Sequence, residues 1–196
     1  DWPLLERVSE TGKPVICSTA GLSISDVDKI ASFFQHRGTH FALMHCVGIY
    51  PTPNEKFQLN QIEVFRKRYP GIVIGFSTHE EPNNFDAIKV AYAKGARIFE
   101  KHVAIPTEEF KINAYSATPE QVERWLEAYK QASAMCGAEN RPPADHSEQE
   151  SLRSLARGVY AKKNIKTGAK LIRNDIYFAI PLENGQLMSG EWKDYF

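Results

Sequence analysis

Hydrophobic and polar positions alternate in two rhythms along this chain. Short runs rich in β-branched and apolar residues, PVICS (14–18), FALMHC (41–46), IVIGFS (72–77) and RIFEKHV (97–103), each follow a turn containing Gly or Pro. They have the length and composition of buried strands. Between them apolar residues recur at helical spacing: Val27, Ile30 and Phe34 form one stripe, Leu59, Ile62 and Phe65 a second, Phe85, Ile88 and Ala91 a third. Gly38 and Gly95 stand where two of these helices should stop. A fourth helix is announced by TPEQ (118–121), which offers a capping hydroxyl, Pro at the first helical position and Gln three residues after the cap. Val122, Trp125, Leu126 and Tyr129 then predict its buried face. The alternation is that of an α/β fold with a parallel sheet, either half of an eight-stranded barrel or part of an open, doubly wound sheet.

After Gly137 the pattern changes. AENRPPADHSEQE, polar with a Pro pair, reads as a linker over 138–150. Residues 151–196 show short β-like runs broken by a KTG turn, which predicts a second, smaller β-rich unit.

Charge and cysteines narrow the partners. The 24 Lys and Arg balance 24 Asp and Glu, so no cationic surplus points to nucleic acid or to a membrane surface. No apolar run approaches the ~20 residues of a membrane span, and no secretory leader is visible. Cys17, Cys46 and Cys136 are odd in number and widely spaced, against a disulfide framework or zinc knuckle and in favour of a reducing, cytoplasmic compartment.

Candidate chemistry gathers at the strand ends. Side chains alternate along a strand, so Ile98, Glu100 and His102 share one face while Phe99, Lys101 and Val103 share the other. The same parity aligns Gly75, Ser77 and His79. Adjacent parallel strands would deliver both histidines to one C-terminal rim, where α/β proteins build their sites. Two neutral imidazoles with a carboxylate nearby make a divalent-metal site of open coordination. His45, inside FALMHC, reads as a satisfied core histidine, and His36, His40 and His146 as surface or linker residues. CSTAG places Ser18 and Thr19 at a strand-to-helix turn that can hold a phosphate or simply cap the helix. Tyr50, before Pro51, can meet a substrate hydroxyl or pack with its own hydroxyl in solvent.

The series CSTAG, LMHCVGIYPTP, GFSTHE, EKHVAI and SATPEQV, in this order and spacing, resembles the C-terminal half of the (βα)8 TIM barrel of sialic acid synthases and spore-coat polysaccharide synthases. The tail RSLARGVYAKKNIKTGAKLI resembles the small antifreeze-like SAF domain that follows that barrel. The resemblance implies a half-barrel over 1–137, a linker over 138–150 and a SAF-like domain over 151–196. It also implies condensation of phosphoenolpyruvate with an N-acylated hexosamine aldehyde, giving a nonulosonic acid and phosphate. Carried over by position, His79 and His102 would hold a divalent metal, Mn2+ or Mg2+; Ser18 and Ser77 would bind the phosphate of phosphoenolpyruvate; Glu100 would act as the catalytic acid–base group; Tyr50 and Asn113 would contact the sugar.

Several positions depart from the family pattern. Thr78 stands where an Asp is usual, Val47 and Gly48 replace a segment with a substrate-contacting Asn, EEFKINAYS replaces a loop with a sugar-binding Asp, and Ala179, Ile180 and Pro181 replace an RPG triplet. The resemblance implies a homodimer in which SAF domains exchange between subunits, and a chain that is the C-terminal part of a longer synthase with little activity alone. The alternative is a non-catalytic sugar-binding or assembly domain with a degenerate site.

Overall fold

The computed structural model describes residues 1–195, so Phe196, the last residue of the expected second domain, lies outside the described residues. The chain divides into two compact units, Asp1–Gly137 and Ala138–Phe196.

The first unit opens with a further helix, α1 (Trp2–Glu10), not among those expected above; Asp1 caps it by accepting from Leu4 N. Four strands follow, β1 (Val15–Ser18), β2 (Phe41–Cys46), β3 (Val73–Thr78) and β4 (Ile98–Lys101), with helices α2 (Ile24–His36), α3 (Asn60–Arg68) and α4 (Asp86–Lys94) between them and α5 (Pro119–Cys136) after. All neighbours pair in parallel in the order β1-β2-β3-β4. Such an order, with no reversal, is that of a barrel wall and has no topological switch point.

The register fixes the two faces. Cys17, Phe41, Leu43, Ile74, Phe76 and Phe99 meet Val27, Ala31, Ile62, Phe65, Ala87 and Ala91 of the helices in one cluster. The opposite set, including Ser18, Gly75, Ser77, Ile98 and Glu100, faces inward. Gly95 ends α4 in the left-handed conformation, which glycine adopts without steric penalty.

The capping box forms as expected: Thr118 Oγ1 accepts from Gln121 N at 3.3 Å, and Gln121 Oε1 accepts from Thr118 N at 2.9 Å. The buried face of α5 differs from the expected stripe. Trp125, Ala128 and Ala132 are buried, whereas Leu126 is 47% exposed. Ile88 of α4 packs against Trp125 and Ala128, and the small alanines permit that close approach where a leucine would not fit.

The second unit also departs from its pattern. Residues His146–Ser154 form a helix, α6, across the end of the expected linker and the start of the expected β-rich stretch. Asp145 supplies the cap, accepting from Glu148 N at 2.9 Å, and SEQESLRS lacks the β-branched residues that would disfavour a helix. Two antiparallel strands, β5 (Gly158–Ala161) and β6 (Ile176–Ala179), complete the unit with short 3-10 turns at Arg173–Asp175 and Trp192–Tyr195. Ile176 is its buried apolar anchor.

Candidate active site

The two expected histidines meet just past the last paired residues of β3 and β4. Thr78 opposite Lys101 is the final rung of the ladder; His79 and His102 follow it with ring centroids 5.2 Å apart. Tyr50 lies against both, 4.1 Å from the His79 ring and 6.1 Å from the His102 ring.

The segment after β2 fixes His79. Val47 O accepts a hydrogen bond from His79 Nδ1 at 2.9 Å, and Thr52 N donates to His79 O at 2.8 Å. Because a carbonyl can only accept, Nδ1 carries a proton, which in the neutral ring leaves Nε2 its lone pair. That is the tautomer a metal ligand needs, oriented by a backbone partner. His79 is buried, and His102 stands exposed on the rim, its own carbonyl accepting from Ala117 N at 2.9 Å.

One step down the inner face, Ser77 Oγ donates to Glu100 Oε1 at 3.0 Å, across a directly paired position. Ser77 is buried and Glu100 exposed to the open inner face. Ser18 is exposed at the end of β1, with β2 between it and Ser77. Thr19 is buried and donates to Met44 O at 2.9 Å, so that hydroxyl ties β1 to β2.

A second tyrosine joins the site. Tyr115, in the loop before α5, sits edge-on to Tyr50 and to His102, each at 5.1 Å. Sequence reasoning assigned the sugar end of this loop to Asn113. The structure uses Asn113 Oδ1 to accept from Tyr115 N and Ser116 N, at 3.1 and 2.8 Å, which presents Tyr115 to the rim. No hydrophobic period marks Tyr115; only an Asx-type turn signal at Asn113 hinted at its presentation.

On the helix-facing side, His45 is buried, stacks on Phe76 and bonds through Nε2 to Phe57 O at 2.7 Å. Burial holds its pKa down, so it stays neutral in the core. Thr78 also points to this outer side, as do Lys101 and Glu80, which are buried and joined at 2.8 Å. Lys101 is thus sequestered from the rim and engaged with a carboxylate.

The donor set suits a cation of open coordination. Among the described residues no group of three or more His, Cys, Asp or Glu side chains converges on one metal position. Two imidazoles on one ion, with metal–nitrogen distances near 2.1 Å, place their ring centroids about 5 Å apart. The observed separation, and the His79 Nε2 that is not engaged by Val47, fit that arrangement, so His79 and His102 are the residues that would hold such a cation.

An unswitched parallel βα wall, with histidines, a carboxylate and serines on its inner C-terminal rim, is the architecture of part of a TIM barrel. The NeuB family model matches residues 1–141, and the chain belongs to that family. It is similar to a solved spore coat polysaccharide biosynthesis protein E from Chromobacterium violaceum, 47% identical with a TM-score of 0.89 over all of this chain and 58% of that one. A solved sialic acid synthetase from Leptospira borgpetersenii, 28% identical, gives a TM-score of 0.69 over 77% of this chain and 52% of that one. The spore coat polysaccharide biosynthesis protein SpsE of Bacillus subtilis is 33% identical over 67% of this chain and 36% of its own length. The chain spans about half the length or less of the curated relatives it matches, 29% to 56%. Others among them are named N,N'-diacetyllegionaminic acid synthase and pseudaminic acid synthase. No helix among the described residues is long and apolar enough to cross a membrane.

Proposed function

We propose that this chain carries the metal- and phosphate-binding side of an enzyme that condenses phosphoenolpyruvate with the aldehyde of an N-acylated hexosamine, releasing phosphate and a nonulosonic acid. The observation that carries the reading is the convergence of His79 and His102 beside Tyr50, one step above the Ser77–Glu100 pair. Membership of a family whose named relatives include sialic acid synthases supports the reaction class.

His79 and His102 would hold a divalent cation, Mn2+ or Mg2+. When bound, it supplies Lewis-acid polarisation of the aldehyde oxygen. The methylene carbon of phosphoenolpyruvate forms the new bond to the aldehyde carbon, whose oxygen takes up a proton and becomes a hydroxyl. Water then adds at the former enol ether carbon, and the carbon–oxygen bond to phosphate breaks as the ketone forms. Glu100 accepts one proton of that water and passes it to the new hydroxyl oxygen, and the other leaves with the phosphate. The Ser18 and Ser77 hydroxyls donate to phosphate oxygens; for Ser77 this exchanges its bond to Glu100 and frees that carboxylate as a base. Tyr50 lines the sugar side, with the NH2 of Asn113 as a polar contact.

The experiment is Mn2+ titration by calorimetry, with phosphate release measured on the chain combined with the first barrel half of a family relative. His79→Ala and His102→Ala should each abolish Mn2+ binding and turnover. Glu100→Gln should keep Mn2+ affinity and lower kcat by roughly 100-fold or more. Sugar binding that survives in both histidine variants, without phosphate release by the unmutated chain combined with the first barrel half of a family relative, would establish a binding module instead. Turnover with pyruvate in place of phosphoenolpyruvate would establish an aldolase.

We read the second unit as SAF-like and the protein as a homodimer on the same family grounds; light scattering of the purified protein checks the latter.

A further inference from the structure

Both histidines lie beyond the last rung of the β3–β4 ladder, where backbone pairing no longer fixes their separation. One residue from each, on the opposite face, is a charged side chain: Glu80 follows His79 and Lys101 precedes His102. These two meet at 2.8 Å with side-chain exposures of 0% and 2%. The pair therefore spans the two strand ends where the hydrogen-bond ladder stops.

Stability does not account for this pair. Two charges taken wholly out of water gain little or nothing net over apolar side chains of similar volume, while removal of one partner strands a buried charge. Among the described residues no protein group donates to Glu80 Oε2, and Thr78 Oγ1 and Trp125 Nε1 are likewise buried without a protein hydrogen-bond partner. The Lys101 ammonium lies 5.9 Å from the centroid of the Trp125 ring, which adds a weak cation–π contribution. What a buried pair of this kind does provide is a discrete geometry.

We propose that Glu80 and Lys101 are positioning residues: their buried ion pair ties the end of β4 to the residue after His79 and so sets the separation of the two imidazoles for a shared cation. The inference rests on the metal reading above. It differs from the hydrogen bond between His79 and Val47, which turns one ring, because the tether governs the distance between two strands.

The test separates positioning from folding. Single variants such as Glu80→Gln leave an uncompensated buried ammonium and can fail to fold, so the informative variant is Glu80→Leu with Lys101→Met. Lys101→Arg serves as the conservative rescue. Mn2+ affinity by calorimetry and the thermal midpoint are measured on each purified protein. The double variant should melt at or above the wild-type midpoint and yet bind Mn2+ roughly 10 to 100 times more weakly, the effect typical of outer residues that orient ligands. Lys101→Arg should bind within about threefold of wild type. A well-folded double variant with wild-type Mn2+ affinity overturns the tether while leaving the metal reading intact. A wild-type protein that takes up no Mn2+ overturns the metal reading, and the tether with it.

Discussion

Asp28 on α2 shows how a single side chain couples two helices to pH. Arg68 Nε and Nη2 donate to its two oxygens, each at 2.7 Å, and the Tyr69 hydroxyl donates to Oδ1 at 2.9 Å. The hydrogen bonds from Arg68, then that from Tyr69, hold the Asp28 carboxyl down at about 2, from an ordinary 3.8. Burial, then the contact with Asp28, pushes the Tyr69 phenol up to about 12, from an ordinary 10.0. A carboxylate with a depressed folded pKa stabilises fully above its unfolded value and loses that contribution as pH falls through the folded one. The Asp28 contribution should therefore be present above pH 3.8 and disappear toward pH 2. The phenol's contribution is present below pH 10.0 and lost as pH rises through about 12. Asp28→Asn should flatten the acid limb of a thermal-midpoint profile in that lower window; an unchanged limb would show that solvent screens the pair to nothing. Residues of the site were legible from the sequence where strand parity placed them, as with His79, His102, Ser77 and Glu100. Parity says nothing of a loop residue such as Tyr115, and the carbonyl that orients His79 belongs to Val47, whose side chain carries no signal for it.

At the scale of elements, the inner and outer faces of β3 impose different demands. Gly75 faces inward between β2 and β4, where an added Cβ would stand 2.6 Å from the Ile98 carbonyl oxygen and 2.2 Å from Met44 Sδ. The methionine can swing aside, but the backbone carbonyl cannot without moving β4. Gly75→Ala should cost about 1–3 kcal/mol, the range of overpacked cores. Thr118→Ala at the start of α5 removes one arm of the capping box and should cost about 1 kcal/mol. Urea melts of both variants test the order, and a Gly75→Ala protein as stable as wild type would mean that β4 shifts freely. The strands and three inter-strand helices were legible because each repeats one period over enough residues. The first helix and the one at His146–Ser154 were not, because they bury no residue and so add nothing to the core from which the others were read. Leu126 misled for the related reason that an apolar side chain marks the core face only when a partner reaches it.

For the molecule as a whole, the sequence left open whether four βα units belong to a barrel or to a doubly wound sheet. That choice lies in which strand pairs with which, and the order β1-β2-β3-β4 makes it. The inner face still exposes Ile16 at 59% and Val73 at 46%. The two compact units differ in how they bear on the candidate site. All residues of both core clusters lie within Asp1–Gly137, as do the hydrogen bonds that hold His79 and His102. Residues 138–143 are exposed and carry no helix or strand. A specific protease site inserted between Glu139 and Asn140 should thus be accessible in the folded protein. After cleavage, the fragment ending at Glu139 should keep its cooperative thermal transition and bind Mn2+ within about twofold of the uncut protein, as expected when distant changes leave the ligand shell untouched. Loss of that transition on cleavage would mean that the second unit supplies part of the stability of the first, and calorimetry before and after the cut distinguishes the two outcomes.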